Sequence, residues 1–182
     1  TCQGVVLCTG TRQKNAGFPG EGELFEAGLL FYGPKEWHGK KDIGIIGGGE
    51  ASIDMALGLS EAGLKPTIIH RSEPRGIKSL MDLALDDENI SWEKGNVQGG
   101  RTAGEKAVLA LEEQELAFDA IIVAVGREIT LPELVGIDLD EWPPGFFIAG
   151  DASRGRLGQV SMAVGDGVGR AMRSGMYLRS ME

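Results

Sequence analysis

The sequence contains little cysteine and histidine, two residue types that often carry catalysis or bind metal ions. It has two cysteines and two histidines in 182 residues, and no C-x-x-C. Cys2 and Cys8 flank one short apolar run, and at opposite ends of a strand they would be too far apart to bridge. This stretch therefore encodes neither a redox dithiol nor a zinc ribbon. We expect no metal site, no catalytic side chain, and a buried structural role for Cys8.

Long apolar runs and an excess of positive charge are also missing. No run of 18 apolar residues occurs, so we expect no membrane span and a cytoplasmic protein. The formal net charge of −9 argues against a nucleic-acid partner, whose binding surface is normally basic. It does not argue against an anionic cofactor, because a few local arginines can outweigh the global balance.

Glycine, by contrast, is abundant, with 29 residues against an average frequency of roughly 7%. The glycines cluster at expected strand ends and in the last helix, which favours an α/β protein that holds a ligand with its main chain. Apolar runs predict strands, and 3.6-residue spacing predicts helices. The strands are expected at 4–8, 42–46, 66–69, 120–125 and 146–149, and the helices over 53–62, 77–85 and 160–176.

Two other segments have a weaker pattern. Residues 11–40 are rich in glycine, proline and charge, and are expected to form a connection with little regular structure. Residues 90–118 are expected to form β-hairpins, with turns at Gly99-Gly100 and Glu112-Glu113.

The most informative motif is the glycine loop that follows the second strand. It fits G-x-G-x-x-(G/A): Gly47 permits a tight turn, Gly49 lets the backbone approach a diphosphate, and Ser52 lets helix and strand pack closely. The loop follows an apolar strand and precedes an amphipathic helix, whose N-terminal amides attract phosphate. The alternative is a glycine-rich structural turn. The predicted ligands of the diphosphate are Gly47, Gly48, Gly49, Glu50, Ala51 and Ser52.

The end of the next strand selects the cofactor. NAD sites usually place a carboxylate there, whereas NADP sites place arginine near the 2′-phosphate. This chain reads His70-Arg71-Ser72-Glu73-Pro74-Arg75, so NADP(H) is favoured over NAD(H) and His70, Arg71 and Arg75 are candidate ligands. Glu73 is the residue that argues for NAD(H), and an ordinary solvated loop is the other interpretation of the two arginines.

Four blocks resemble the thioredoxin-reductase-like family of FAD- and NAD(P)-dependent pyridine nucleotide-disulfide oxidoreductases. They are V-V-L-C-T-G at 5–10, I-I-G-G-G-E-A-S-I-D at 45–54, I-I-V-A-V-G at 121–126, and F-I-A-G-D at 147–151 running on to G-Q-V-S-M-A-V-G-D-G at 158–167. The resemblance implies a Rossmann-like three-layer α/β fold with a complete NAD(P)H domain inserted into a partial FAD domain. The implied parts are an FAD-domain remnant at 1–14, an NAD(P)H-binding domain at 15–126, and the C-terminal part of the FAD domain at 127–182.

The resemblance also implies roles for individual residues. Thr9-Gly10 and Gly126 would mark the two crossings between domains, with Gly126 also close to NAD(P). Gly150-Asp151 would contact FAD, with Asp151 on its ribityl chain. Gln159-Val160 would place helix N-terminal amides near the flavin, and Asp54 takes the position of a family acidic residue near the nicotinamide.

Two departures from the family pattern matter. Thioredoxin reductases have a C-x-x-C just before the glycine-rich strand, whereas residues 31–37 of this chain contain no cysteine. That pattern is more similar to the ferredoxin–NADP reductases of the same branch. The N-terminal FAD fingerprint is also missing, so we interpret the chain as a fragment of a longer protein and expect it to be inactive by itself.

The leading hypothesis is a flavoprotein that passes hydride from NAD(P)H to FAD and electrons on to a small-molecule or protein acceptor. No side-chain acid or nucleophile is needed, because the cofactors carry the chemistry. One alternative is a non-catalytic NAD(P)-binding Rossmann module. Another is a disulfide reductase whose cysteines lie outside this stretch. A homodimer is an allowed assembly.

Overall fold

A computed structural model of the chain describes residues 2–33, 35, 37, 39–137, 142–154 and 158–181. Three residues of the expected connection over 11–40 lie outside these ranges: Pro34, Glu36 and His38. The chain divides into two compact units: unit 1 is Thr1–Arg12 with Arg127–Glu182, and unit 2 is Gln13–Gly126. None of the helices in the described ranges has the length and apolar character needed to cross a bilayer.

Unit 2 is built on a five-stranded parallel sheet. Its strands, in spatial order, are β3 (Leu30–Phe31), β10 (Ala120–Val123), β4 (Asp42–Ile46), β5 (Lys65–His70) and β6 (Ser91–Lys94). Helix α2 (Glu50–Glu61) connects β4 to β5, and α3 (Lys78–Asp86) connects β5 to β6. The chain thus moves outward from β4 in one direction and later returns to its other side as β10, which is a Rossmann-like arrangement.

The sheet is covered on both faces because its strands alternate between two apolar clusters. Ile43 and Ile45 of β4 face the cluster that contains α2 and α3, whereas Ile46 faces the opposite cluster. In β10, Ile122 joins the first cluster and Ile121 the second. Strands buried on both faces are expected to be continuous apolar runs, which is why β4 and β10 could be recognised in the sequence.

The second face is covered by a small antiparallel sheet and by helix α1 (Glu21–Glu26). The antiparallel sheet contains β7 (Gly99–Ala103), β8 (Lys106–Ala110) and β9 (Glu115–Phe118). The predicted turn at Gly99-Gly100 is wrong, because both residues lie in β7 and the chain reverses at Gly104-Glu105. Close packing explains this glycine pair, since a Cβ on Gly100 would lie 2.7 Å from the Phe18 ring. The turn at Glu112-Glu113 is confirmed.

The expectation of little regular structure over 11–40 is also wrong. The segment contains β2 (Thr11–Gln13), α1 and β3, and it places Phe18, Leu24, Leu29 and Leu30 in the core. The Glu21 carboxylate organises it by accepting hydrogen bonds from the Ala16 and Gly17 amides at 2.7 and 2.6 Å and from Tyr32 Oη at 2.8 Å. Burial, the hydrogen bond to Glu21 and the charge of Glu21, in that order, raise the pKa of Tyr32 to about 12.

Unit 1 has less regular structure and almost no core of its own. Strand β1 (Val5–Leu7) pairs in parallel with β12 (Phe146–Ile148), and β2 pairs with β11 (Arg127–Ile129). Helices α4 (Asp151–Arg154) and α5 (Val160–Arg179) follow β12. Of the hydrophobic residues of unit 1 that the structure describes, only Ala149 and Ala152 are buried.

Several apolar residues of unit 1 are therefore exposed. The predicted stripe on the last helix is present on α5, but its members are 58% to 84% exposed. These members are Val160, Val164, Val168, Met172 and Met176. Cys8 is exposed as well, which corrects the expected buried role, because no described layer covers the end of β1. Cys2 and Cys8 are both free thiols.

Candidate dinucleotide-binding site

The glycine loop lies where the strand order of unit 2 reverses. Strands β5 and β10 flank β4, and all three end at the same edge of the sheet because they are parallel. In open α/β sheets, ligands bind outside the carboxyl ends of the strands at such a reversal. The loop, the end of β5 and the residues that follow β10 are therefore brought together at one edge.

Gly47 turns the chain in a conformation and a space that only glycine fits. Its φ is 147°, and an added Cβ would lie 2.4 Å from the Ala124 carbonyl oxygen. The Gly47 amide donates to the Ile69 carbonyl at 2.9 Å, which ties the turn to β5. Ser52 is fully buried, with Oγ 3.5 Å from the Ala124 carbonyl oxygen. The sequence-based roles of these two residues, a tight turn and close packing, agree with this geometry.

Gly49 has a different environment. It precedes α2 with φ −97° and ψ 175°, which any residue adopts, and an added Cβ would meet no atom within 4 Å. Glycine is therefore not required by the fold at this position. The space beside Gly49 is open, as a backbone that receives a large ligand requires.

Amide groups at the start of α2 are available to that space. Within the described residues, the amides of Gly48, Gly49, Glu50 and Ala51 donate no backbone hydrogen bond, whereas those of Ser52 and Ile53 donate to the Gly49 carbonyl. Glu50 and Ala51 are exposed, and no side chain caps the helix. Free amides and the positive end of a 12-residue helix form a site suited to a diphosphate.

The loop after β5 lies against the glycine loop. The Arg75 amide donates to the Gly48 carbonyl at 2.7 Å. His70 is only 9% exposed, and its Nδ1 lies 3.1 Å from the Ser72 carbonyl oxygen, which requires the Nδ1–H tautomer. The His70 ring also packs edge-on against Trp92. His70 thus holds the loop through its contact with Ser72. Arg71 and Arg75 are exposed.

Glu73, the residue that argued for NAD(H), is paired. Its Oε1 lies 3.0 Å from Nζ of Lys94, the last residue of β6. The hydrogen bond and charge of Lys94 hold the pKa of Glu73 below its ordinary value. Sequence reasoning missed Lys94, because its Cα register with His70 depends on a parallel pairing between residues 24 positions apart.

The remaining residues predicted for NAD(P) lie in unit 2. Gly126 has φ 107° and its carbonyl accepts the Lys14 amide at 3.0 Å, close to the carboxyl end of β10. Asp54 is exposed on α2, one turn after Glu50. No group of three or more His, Cys, Asp or Glu side chains in the described ranges is arranged to hold a metal ion.

The residues predicted for FAD meet at the carboxyl ends of β1 and β12 in unit 1. The Ala149 amide donates to the Leu7 carbonyl at 2.8 Å, which places Thr9-Gly10 beside Gly150-Asp151. Thr9 Oγ1 donates to the Thr130 carbonyl. The Asp151 carboxylate lies beside Gly158, so that an added Cβ there would be 2.9 Å from Oδ1. Gln159 and Val160 start α5 directly after it, without a side-chain cap.

Two details of this group bear on ligand binding. Asp151 Oδ1 is buried, yet it has no hydrogen-bond partner among the described residues. A buried carboxylate oxygen normally has one, so this atom fits a site that a ligand hydroxyl completes. Asp166 of α5, which the sequence did not single out, accepts hydrogen bonds from the Gly150 amide at 2.9 Å and from Ser153 Oγ at 2.7 Å. It holds the turn that presents Asp151.

With this geometry established, the sequence can be compared with known families. The profile of the family described as "Pyridine nucleotide-disulphide oxidoreductase" matches residues 1–167. The chain belongs to this family. Membership of the pyridine nucleotide-disulphide oxidoreductases, and within them the expected resemblance to thioredoxin reductases, is thereby confirmed.

The sequence is similar to those of two curated thioredoxin reductases. The enzyme from Peptoclostridium litorale is 29% identical over 97% of this chain, and the enzyme from Treponema pallidum is 28% identical over all of it. The chain spans 65% and 66% of the length of these two relatives.

Solved structures of the same family share the fold. Thioredoxin reductase from Lactococcus lactis aligns over 98% of this chain with a TM-score of 0.81 and 22% identity. The T. acidophilum thioredoxin reductase aligns over the whole chain with a TM-score of 0.75 and 24% identity. The chain covers 67% of each. The predicted Rossmann-like α/β fold is confirmed.

Proposed function

We propose that unit 2 binds NADPH at the carboxyl edge of its parallel sheet. Two observations carry the proposal: the amides from Gly48 to Ala51 have no backbone acceptor among the described residues, and the space beside Gly49 is open. These amides would hold the diphosphate, and Gly47 and Ser52 keep the turn close to the ends of β5 and β10. Arg71 and Arg75 would bind the 2′-phosphate, because both are exposed on the loop that contacts Gly48.

Binding of NADPH to the 182-residue chain, measured by calorimetry, tests the glycine loop. Gly49→Val should weaken binding by about 100-fold or more, because the side chain would keep the diphosphate from approaching the backbone. The melting temperature should change little, since the position is unstrained and open. A valine variant that binds NADPH as tightly as the wild type would refute the loop assignment.

The same titration tests the arginines. The double variant Arg71→Ala and Arg75→Ala should weaken NADPH by about 30-fold or more and NADH by less than about threefold, because only NADPH carries the 2′-phosphate. Equal losses for the two nucleotides would contradict the preference for NADPH.

We propose further that unit 1 belongs to an FAD domain, with residues 1–14 as a remnant and residues 127–182 as its C-terminal part. Residues 15–126 are then the NAD(P)H-binding domain. Supporting observations are the buried Asp151 Oδ1 without a described partner, the uncapped start of α5 beside it, and the exposed apolar faces of α5 and β1. About a third of the length of each relative lies outside the match, which is enough chain to cover those faces.

The function that follows is an FAD-dependent NADPH oxidoreductase of which this chain is a part. When bound, the nicotinamide and flavin supply the hydride-transfer chemistry themselves. The residues of the chain bind and orient the two cofactors. The glycine loop and the two arginines of unit 2 would hold NADPH. The residues of unit 1 that would hold FAD are Thr9, Gly10, Gly150, Asp151, Gln159 and Val160. The acceptor is a small molecule or a protein, reached without a dithiol in residues 31–37. We also propose a cytoplasmic location and a homodimeric assembly.

The colour of the full-length parent protein tests the flavin assignment. We expect a yellow protein that oxidises NADPH in the presence of a dye acceptor, and loss of bound FAD in Asp151→Ala. A colourless parent that binds NADPH alone would instead identify a non-catalytic NAD(P)-binding module.

A further inference from the structure

The loop that carries Arg71 and Arg75 also carries an acidic residue midway between them. Glu73 is two residues from each arginine and is exposed to solvent. A free carboxylate at this position would repel a 2′-phosphate and would be available to accept a hydrogen bond from a ribose 2′-hydroxyl. The contacts of Glu73 therefore bear directly on which nucleotide the loop prefers.

Lys94 controls those contacts from the neighbouring strand. Parallel pairing of β5 and β6 places the Cα of Lys94 opposite His70, the residue at which the loop begins. The chain is held there by the Gly95 amide, which donates to the His70 carbonyl at 3.0 Å. From this position Lys94 Nζ reaches Glu73 Oε1 at 3.0 Å. Lys94 thus lies at the same carboxyl edge of the sheet as the glycine loop.

We propose that Lys94 is a specificity-determining residue for NADPH, which acts by pairing with Glu73 and leaving Arg71 and Arg75 to the 2′-phosphate. This inference rests on the proposed nucleotide site. Lys94 is a positioning residue in this scheme, because it acts through Glu73 and need not touch the cofactor.

The pair is too exposed to matter for folding. The side chains of Lys94 and Glu73 are 65% and 82% exposed, and such pairs contribute little to stability. The pair matters for a bound phosphate instead, because without Lys94 the Glu73 carboxylate would be free to pair with Arg71 or Arg75 and to repel the phosphate. Because the loop is exposed, water weakens these charge interactions. The expected change in NADPH affinity is therefore about three- to tenfold, at low ionic strength where screening by salt is weakest.

The test is a double-mutant cycle on the 182-residue chain at low salt, with dissociation constants for NADPH and NADH. Lys94→Gln should weaken NADPH by about three- to tenfold and leave NADH within about twofold. In the Glu73→Gln background, Lys94→Gln should change NADPH affinity by less than about twofold. Lys65→Gln is the matched control: it makes the same charge change at an exposed residue at the opposite end of β5, and should leave both affinities unchanged.

The outcomes separate this inference from the proposed function. If the arginine double variant loses NADPH selectively but Lys94→Gln does not, the role of Lys94 is wrong and the nucleotide site stands. An equal loss from Lys94→Gln in both backgrounds would also overturn it, because Lys94 would then contact the phosphate directly. If the wild-type chain bound neither nucleotide, both proposals would fail.

Discussion

At the scale of single residues, two glycines of one motif, Gly47 and Gly49, have different roles. Gly47 is required by the fold, because its φ of 147° and the Ala124 carbonyl 2.4 Å from an added Cβ exclude any side chain. Gly49 is required by nothing in the structure itself, since its backbone is extended and its side-chain direction is open. A glycine that the fold does not need is better evidence of a ligand than one that it does.

This difference predicts effects of different size on stability. Gly47→Ala should lower the free energy of unfolding by about 2–4 kcal/mol, from backbone strain and overlap with a rigid carbonyl. Gly49→Ala should change it by less than about 1 kcal/mol. Urea denaturation of the two variants without nucleotide measures both values, and similar losses would contradict the account of the turn.

The residues of the site differ in how well a sequence reveals them. The glycine loop is recognisable because its requirements are local: a strand, a turn and a helix follow one another within about 20 residues. Lys94 and Asp166 could not be found in this way. Lys94 reaches Glu73 only through the pairing of β5 with β6, and Asp166 reaches Gly150 only because α5 folds back on the turn.

At the scale of secondary-structure elements, one carboxylate joins the start of β4 to the start of β10. Asp119 Oδ2 accepts hydrogen bonds from the Lys41 and Asp42 amides at 2.8 and 2.9 Å, and Lys106 Nζ lies 3.2 Å from Oδ1. The bond from the Asp42 amide is the largest cause that lowers the pKa of Asp119 below its ordinary value of 3.8. This contact fixes the register of the two central strands.

The pKa shift predicts how the contribution of Asp119 depends on pH. Because the pKa is lower in the folded state, the stabilisation is complete above pH 3.8 and is lost as the pH falls below that value. Asp119→Asn should therefore lower the free energy of unfolding by about 1–2 kcal/mol at pH 7, and the difference from wild type should shrink in acid.

Urea denaturation of both proteins between pH 7 and pH 3 measures this difference. Lys106→Met serves as a control, because it removes only the partly exposed ion pairs with Asp42 and Asp119 and should lower stability by less than about 1 kcal/mol. A difference between wild type and Asp119→Asn that stays constant with pH would rule out the linkage.

Elements were predictable from sequence where their pattern is local and uninterrupted. Apolar runs predicted β4, β5 and β10. Gly63, which follows the periodic residues, predicted that α2 ends just before it, and the helix ends at Glu61. The same reasoning failed over residues 11–40, where glycines and prolines separate core residues that contact distant partners such as Leu109. It also failed at Gly99-Gly100, because a glycine pair that allows close packing looks the same in sequence as one that turns the chain.

At the scale of the whole molecule, the two units differ in their ability to fold alone. Both large apolar clusters consist of unit 2 residues, whereas the described part of unit 1 buries only two alanines among its hydrophobic residues. A unit with so little buried apolar surface cannot offset the conformational entropy of its own ordering. Stability of the chain should therefore reside in unit 2.

Residues 13–126 expressed alone should consequently unfold cooperatively, with a melting temperature within about 4 °C of the main transition of the full chain. The affinity for NADPH should stay within about threefold, because every proposed ligand lies in unit 2. Scanning calorimetry and titration of the two proteins provide the comparison. An isolated segment without a cooperative transition would show that unit 2 depends on unit 1.

The chain enters and leaves unit 2 at adjacent points. The Lys14 amide donates to the Gly126 carbonyl at 3.0 Å, and the flanking strands β2 and β11 run side by side. The unit proposed to bind the nucleotide is thus one continuous segment whose two ends meet. A segment whose ends are adjacent can be replaced at Arg12 and Arg127 without a change in the sequence that surrounds it.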